Sequence, residues 1–162
     1  MGRQASIVNV LKTGDRGPRK TGSTKAERVE LLSRVPLFSS LSKRNLRKIA
    51  EAATDARYRP FATIVREGEP GDTFFAIVDG TAKVVRGTRK AATLQSGDFF
   101  GEISLIDGGP RTASVIAEST MLTMRLSRAT FSRMLKADPK IGVAILQEVA
   151  RRLREREKPL TA

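Results

Sequence analysis

Glu102 and Arg111 stand nine residues apart in a stretch that reads SGDFFGEISLIDGGPRTASVIA from Ser96 to Ala117, set among four glycines and followed at once by an apolar run. A planar guanidinium matches two phosphate oxygens in one fork, through charge-assisted hydrogen bonds worth about 1.5–3 kcal/mol each. Gly101 lets the backbone approach a ligand closely, and Glu102-Ile103-Ser104-Leu105 has the makings of one helical turn whose free N–H groups face an anion. A carboxylate beside a phosphate repels it unless it has another task, and accepting a hydrogen bond from a neighbouring hydroxyl is such a task. The set points to a ligand that carries an anionic phosphate next to a hydroxyl. The plainer reading is a structural ion pair between Glu102 and Arg111, with Ile103, Leu105 and Val115 as core and Gly108-Gly109 as a tight turn.

No reaction is written into these residues. The chain has 162 residues and neither His nor Cys, which excludes disulfides, Cys/His zinc sites and His- or Cys-centred nucleophilic devices. No second carboxylate is placed to activate water beside Glu102. The expectation is a binding module and not an enzyme, with no metal and no cofactor apart from its ligand. At this length a chain forms one domain, which buries roughly 70% of the surface exposed on unfolding. No apolar run approaches the ~20 residues that span a bilayer, and the N-terminus lacks the apolar centre of a signal peptide. A cytoplasmic protein with no membrane partner is expected, although MGRQAS matches an acylation pattern on Gly2 with Ser6 at the required spacing.

The elements that must position Glu102 and Arg111 follow from periodicity. Residues 1–23, rich in Gly, Lys and Arg, read as a flexible basic tail. Thr24 and Glu27 have capping-box spacing, and Val29, Leu32 and Val35 share a side before Pro36 ends the helix. Ser42 caps a second helix, with Leu41 stapled to Leu46 and an apolar stripe through Ile49, Ala50 and Ala53. From Tyr58 to about Leu126 short β-branched or aromatic runs alternate with turns such as Pro70-Gly71-Asp72, Asp79-Gly80 and Ser96-Gly97-Asp98, the rhythm of an antiparallel sandwich or barrel. Ser127 caps a further helix, and Asp138-Pro139 opens a last one whose Ile141, Ile145 and Val149 share a face. The expected division is helices over 24–56, strands over 57–126, C-terminal helices over 127–157 and a tail over 158–162.

Charge follows the same division. Residues 1–59 carry 14 basic and 5 acidic side chains, residues 60–124 carry 6 and 8, and residues 125–162 carry 10 and 4. The strand region is slightly acidic between two basic flanks, which read as solvated helix faces or as a surface for an acidic partner.

The stretch resembles the phosphate-binding cassette of cyclic-nucleotide-binding domains, the module of the catabolite activator protein, the regulatory subunits of cyclic-AMP-dependent protein kinase and cyclic-nucleotide-gated channels. Phe100-Gly101-Glu102-Ile103 matches the opening of that cassette, and Pro110-Arg111-Thr112-Ala113-Ser114-Val115 matches its close. PLFSSLSKRNLRKIAEAA, EGEPGDTFFAIVDGTAKV and LQSGDFFGE resemble, in order, the family's helix before the barrel and its early strands, so the likeness covers about residues 30–157. It implies a mainly β fold, an eight-stranded antiparallel, jelly-roll-like β-roll with short helices before it and two after. It also implies that Glu102 binds the ribose 2′-hydroxyl, Arg111 the cyclic phosphate, and backbone N–H groups of Gly101, Glu102, Ile103, Ser104 and Ala113 the remaining oxygens. Thr112 stands where the family has Ala or a hydroxyl residue; cyclic AMP is the favoured ligand, and cyclic GMP stays open. One departure is YRPFAT, Tyr58–Thr63, where the family tends to place Gly after its Tyr; this bears on the first hairpin and not on the pocket.

Only 36 residues follow Leu126, and two helices consume them, leaving no winged helix-turn-helix. The effector is therefore expected to be a separate protein, or a second copy in a homodimer through the C-terminal helix, and nucleic acid is not the expected partner. Ligand would draw the cassette and Leu105 inward and bring the helix from Pro139 over the base, with Ile141, Ile145 or Val149 as its cap. The alternative from another class is a ligand-independent basic adaptor that holds nucleic acid or an acidic protein through its flanks.

Overall fold

Thr24 accepts a hydrogen bond from the Glu27 N–H while the Glu27 carboxylate accepts one from the Thr24 N–H, and this reciprocal cap starts α1, Lys25–Ser33. The structure is a computed structural model that describes residues 21–157; the acylation pattern at Gly2, most of the basic tail and residues 158–162 lie outside the described residues. After α1 a 3-10 turn, Pro36–Phe38, leads to α2, Lys43–Ala52, which Ser42 caps through the Asn45 N–H. Arg28 binds these pieces together. Its Nη1 donates to the carbonyls of Ala50 (3.0 Å) and Ala53 (2.7 Å) at the end of α2, and its Nη2 lies 3.2 Å from Asp55. Asp55 also accepts from the Ser23 N–H and hydroxyl. Burial pushes the Asp55 carboxyl up, but those two bonds and Arg28 outweigh it and hold the group below its ordinary value.

Eight strands follow: β1 Thr54–Tyr58, β2 Thr63–Val65, β3 Thr73–Asp79, β4 Ala82–Arg86, β5 Arg89–Leu94, β6 Phe99–Phe100, β7 Ser114–Ala117 and β8 Met121–Ser127. The first strand begins at Thr54 instead of 57, because Ala53 is already extended and ends α2. All pairings are antiparallel, in two four-stranded sheets ordered β1-β8-β3-β6 and β2-β7-β4-β5. A one-turn helix, α3 Ser104–Asp107, lies between β6 and β7, and α4 Arg128–Ala137 and α5 Pro139–Glu157 close the chain. This is the mainly β roll with flanking helices.

Two apolar clusters hold it. Ile77, Ala82, Val115, Ala117 and Met121 fill the space inside the roll, with Tyr58, Ile64 and Phe100 packed on them. Outside the first sheet, Leu32, Val35, Phe38, Ile49, Phe74, Leu105, Leu126, Phe131, Ile141 and Ile145 form a larger core with the helices. Strand β3 serves both. Successive side chains of a strand point to opposite faces, so Phe74 meets Phe38 edge-on at 5.9 Å while Phe75 stacks on Phe100 at 4.8 Å. Val115 and Leu105 are core as the sequence suggests, but Ile103 is 51% exposed. Ile103 is the N-cap of the one-turn helix, and the buried positions of that turn are taken by Ser104 and Leu105.

The segment Tyr58–Thr63 does not form a hairpin. β1 pairs with β8 and β2 with β7, so the corner carries the chain from one sheet to the other. Phe61 sits there at φ 68° and is 83% exposed, held by its N–H to the Ala117 carbonyl at 2.7 Å. That left-handed backbone costs an L side chain about 1–2 kcal/mol, and Asn tolerates it better. Phe61→Asn should therefore stabilise the protein by about 1 kcal/mol, on the order of 3 °C in melting temperature. A lower melting temperature would show that the exposed ring makes stabilising contacts.

Candidate functional site

The Pro-Arg end of the cassette is held by a segment far from it in sequence. The Gly68 N–H donates to the Arg111 carbonyl (2.8 Å), the Arg111 N–H to the Glu69 carbonyl (2.8 Å) and the Gly71 N–H to the Gly109 carbonyl (3.0 Å), so that Pro70 and Pro110 stand opposite one another as an antiparallel bridge. The opposite end is anchored by Leu105, which is 2% exposed and belongs to the outer core.

The Arg111 guanidinium lies half-buried in this frame among neutral partners. Its Nη2 donates to the Thr73 carbonyl at 2.8 Å, its Nη1 to the Ser104 hydroxyl at 3.2 Å, and its carbon stands 6.0 Å from the centre of the Phe75 ring. Burial pushes its pKa down from the ordinary value, and the charge of Asp72 works the other way. The guanidinium stays charged in either case. Among the described residues no carboxylate forms an ion pair with it.

Glu102 is half-buried, and among the described residues its carboxylate makes neither a hydrogen bond nor an ion pair. The plainer sequence reading, a structural Glu102–Arg111 pair, is thus not what the fold builds. The backbone N–H groups of Glu102, Ile103, Ser104 and Ala113 likewise donate to no described protein group. One half-buried cation, several unspent donors and one unspent carboxylate therefore share a short segment. This arrangement suits an anion with a hydroxyl beside it. Thr112 is exposed at the edge.

Three contributors were not singled out in the sequence as site residues: Gly71, Thr73 and Phe75. Thr73 acts through its carbonyl, which any residue carries, so its type held no signal. Phe75 looks like core and is core. Gly71 did carry a signal, since the tight Pro70-Gly71-Asp72 turn lies in a block that resembles the family. A Cβ on Gly71 would stand 2.4 Å from the Ser104 hydroxyl and 2.9 Å from Arg111 Nε; one on Gly101, at φ 82°, would stand 2.5 Å from Arg111 Nη1 and 2.8 Å from the Thr73 carbonyl. Both glycines are therefore required by the position of Arg111.

Elsewhere, a cleft of about 200 Å³ is lined by Glu27, Glu30, Leu31, Arg34, Val78, Ser96 and Gly97. Its one cation, Arg34, is paired with Glu30 at 3.2 Å, so it presents no free positive charge. Among the described residues no group of His, Cys, Asp or Glu could hold a metal ion, and no helix is long and apolar enough to cross a membrane.

Comparison with known proteins covers the strand region that contains this segment. The family model described as cyclic nucleotide-binding domain matches residues 56–138. A cAMP-dependent protein kinase regulatory subunit of Aspergillus fumigatus is 43% identical over 108 residues, 64% of this chain and 26% of that protein. Among solved structures, the N-terminal domain of a transcriptional regulator from Streptomyces coelicolor A3(2) superposes with a TM-score of 0.74 at 28% identity, covering 79% of this chain and 95% of that one. The regulatory domain of Toxoplasma gondii PKA with cAMP superposes with a TM-score of 0.63 at 26% identity, covering 81% of this chain and 50% of that one. The chain spans about a quarter of the length of the curated relatives it matches.

The glycine geometry yields a paired test. At Gly68, φ 84°, an added Cβ would meet nothing within 4 Å, so Gly68→Ala should cost only backbone strain, about 1 kcal/mol. Gly71→Ala should cost about 1–3 kcal/mol in urea unfolding and should also shift the NMR signal of Arg111 Nε. An unmoved Arg111 signal would mean the guanidinium is not packed against Gly71.

Proposed function

The chain belongs to the cyclic nucleotide-binding domain family, and from that premise we propose that it is a cyclic-nucleotide sensor, with cyclic AMP the favoured ligand and cyclic GMP the second. The observation that carries the reading is the half-buried Arg111 guanidinium, held by the Thr73 carbonyl and the Ser104 hydroxyl and by no described carboxylate. A cation drawn out of water without an ionic partner is costly unless an anion arrives. In the proposed complex Arg111 takes the cyclic phosphate, with the N–H groups of Gly101, Glu102, Ile103, Ser104 and Ala113 around the remaining oxygens. Glu102 accepts from the ribose 2′-hydroxyl. Thr112 lies at the edge, where its hydroxyl bears on the choice of base. The relatives named as cAMP-dependent protein kinase regulatory subunits, and the PKA domain solved with cAMP, support cyclic AMP.

The domain acts by binding and not by catalysis, and its output is a change of surface read by a separate polypeptide. Leu105 links the cassette to the outer core, and α5 enters the same core through Ile141 and Ile145, which are 1% and 6% exposed. Uncovering those two side chains would cost about 3–6 kcal/mol, a large part of the roughly 8 kcal/mol that a micromolar ligand supplies. The proposed movement therefore keeps Ile141 and Ile145 packed and repositions the helix beyond them. This narrows the expectation that Ile141, Ile145 or Val149 caps the base: the first two are buried in the core, Val149 is packed against it but only half-buried, and the turns after Val149 are the part proposed to move.

Melting of nucleotide-stripped protein with cyclic AMP, cyclic GMP and linear AMP tests this. Ligand at ~100 times its Kd adds about 2.7 kcal/mol, on the order of 5–10 °C here. Cyclic AMP should give that rise, AMP should not, and Arg111→Ala should abolish it. Glu102→Gln should weaken it. No rise with either cyclic nucleotide would overturn the proposal.

A further inference from the structure

The last helix is apolar on two sides, and the roll uses only one. Ile141 and Ile145 face the core, with Glu148 beside them at 7% exposure and Val149 half-buried. On the opposite side Val143, Leu146 and Leu153 are 54%, 68% and 56% exposed, and Ala150 between them is exposed too. These four residues are spaced three, four and three apart. At 100° per residue they fall within an arc of roughly 80°, the narrow seam that heptad a and d positions make when one helix packs along another.

The charges beside the seam indicate what covers it. Lys140 and Arg154, both exposed, border one edge, and the exposed Arg156 stands past the half-buried Val149 on the other. The described acidic side chains of the helix, Glu148 and Glu155, lie away from the seam, and Arg151 holds both, at 2.5 Å and 2.6 Å. The border thus offers cations and no free carboxylate among the described side chains. A second copy of the helix would set cations against cations. An amphipathic membrane helix sets Trp, Phe or Leu on its apolar face; this seam has Leu146 and Leu153, and no Trp or Phe occurs between Pro139 and Glu157. We propose that the outer seam of α5, Val143, Leu146, Ala150 and Leu153, docks an acidic amphipathic helix of a partner polypeptide, its aliphatic residues on the seam and its carboxylates on Lys140, Arg154 and Arg156. The proposal rests on the exposed side chains of α5 and on none of the residues of the candidate ligand site, so it is argued separately from the cyclic-nucleotide reading.

The test uses the full chain and a fluorescein-labelled three-heptad peptide with Leu at a and d and Glu at e and g, next to the same peptide with Lys at e and g. By fluorescence anisotropy the Glu peptide should bind saturably, at least about 10-fold more tightly than the Lys peptide, and should weaken about 10-fold or more between about 50 and 500 mM salt. Leu146→Glu should abolish binding, and Arg154→Glu with Arg156→Glu should weaken it. Circular dichroism melting confirms that these exposed substitutions leave the fold intact; a variant that fails to fold is replaced by Leu153→Gln, read in the same way. Equal binding of both peptides, or no saturation by the Glu peptide at about 100 μM, overturns the proposal. So does sedimentation showing a dimer that Leu146→Glu dissociates, or seam-dependent binding to phosphatidylserine vesicles in place of the peptide. Repeating the titration with cyclic AMP separates the two readings: an unchanged peptide affinity leaves the docking proposal standing, and the melting shift alone judges the sensor.

Discussion

Strand β3 is buried on both faces, and most of the molecule is arranged around that fact. Phe74 points outward into the helices and Phe75 inward into the roll. The strand is hydrogen-bonded to β8 on one side and to β6 on the other, the strand that opens the cassette. Its first residue lends a carbonyl to Arg111, and its inward ring lies near the same guanidinium. A shift of β3 would disturb the helical core, the sandwich core and the candidate site together. Close-packed interiors transmit such shifts and do not absorb them.

The site itself is a matter of charges kept apart. A simpler fold would have closed Glu102 onto Arg111. Instead the arginine is held by a carbonyl, a hydroxyl and an aromatic face, while the carboxylate stands in a half-buried position with no partner among the described residues. Neutral donors and acceptors orient a guanidinium without cancelling its charge, so the cation keeps its attraction for an incoming anion in a place where water screens poorly. Gly71 and Gly101 make this possible, since a methyl group on either would collide with the guanidinium. The pocket has been formed by leaving side chains out as much as by putting them in.

The final helix divides its work lengthwise. Its first turns are fixed in the core through Ile141 and Ile145, and its later turns carry four arginines and the end of a second apolar seam. A root fixed in the core, with a distal part less bound to the domain, is the form on which the proposed output rests.

Local pattern was enough to determine the capping box at Thr24 and Glu27, the Ser42, Ser127 and Asp138 caps, the strand rhythm and the cassette with its Glu and Arg. Each rests on residues a few positions apart, which is the range over which sequence patterns act. What depended on the tertiary structure was long-range. The corner at Phe61 passes between sheets and forms no hairpin, because β8 and β7 compete for its two strands. Ile103 is exposed, because Ser104 and Leu105 take the buried positions of the one-turn helix that it caps. The bracing of Arg111 by Gly68, Glu69 and Thr73 joins it to backbone groups about forty residues away, and a backbone group leaves no mark in the sequence. The chain names the charged residues of its candidate site; only folding decides that a carboxylate and a guanidinium of one short segment are kept from pairing.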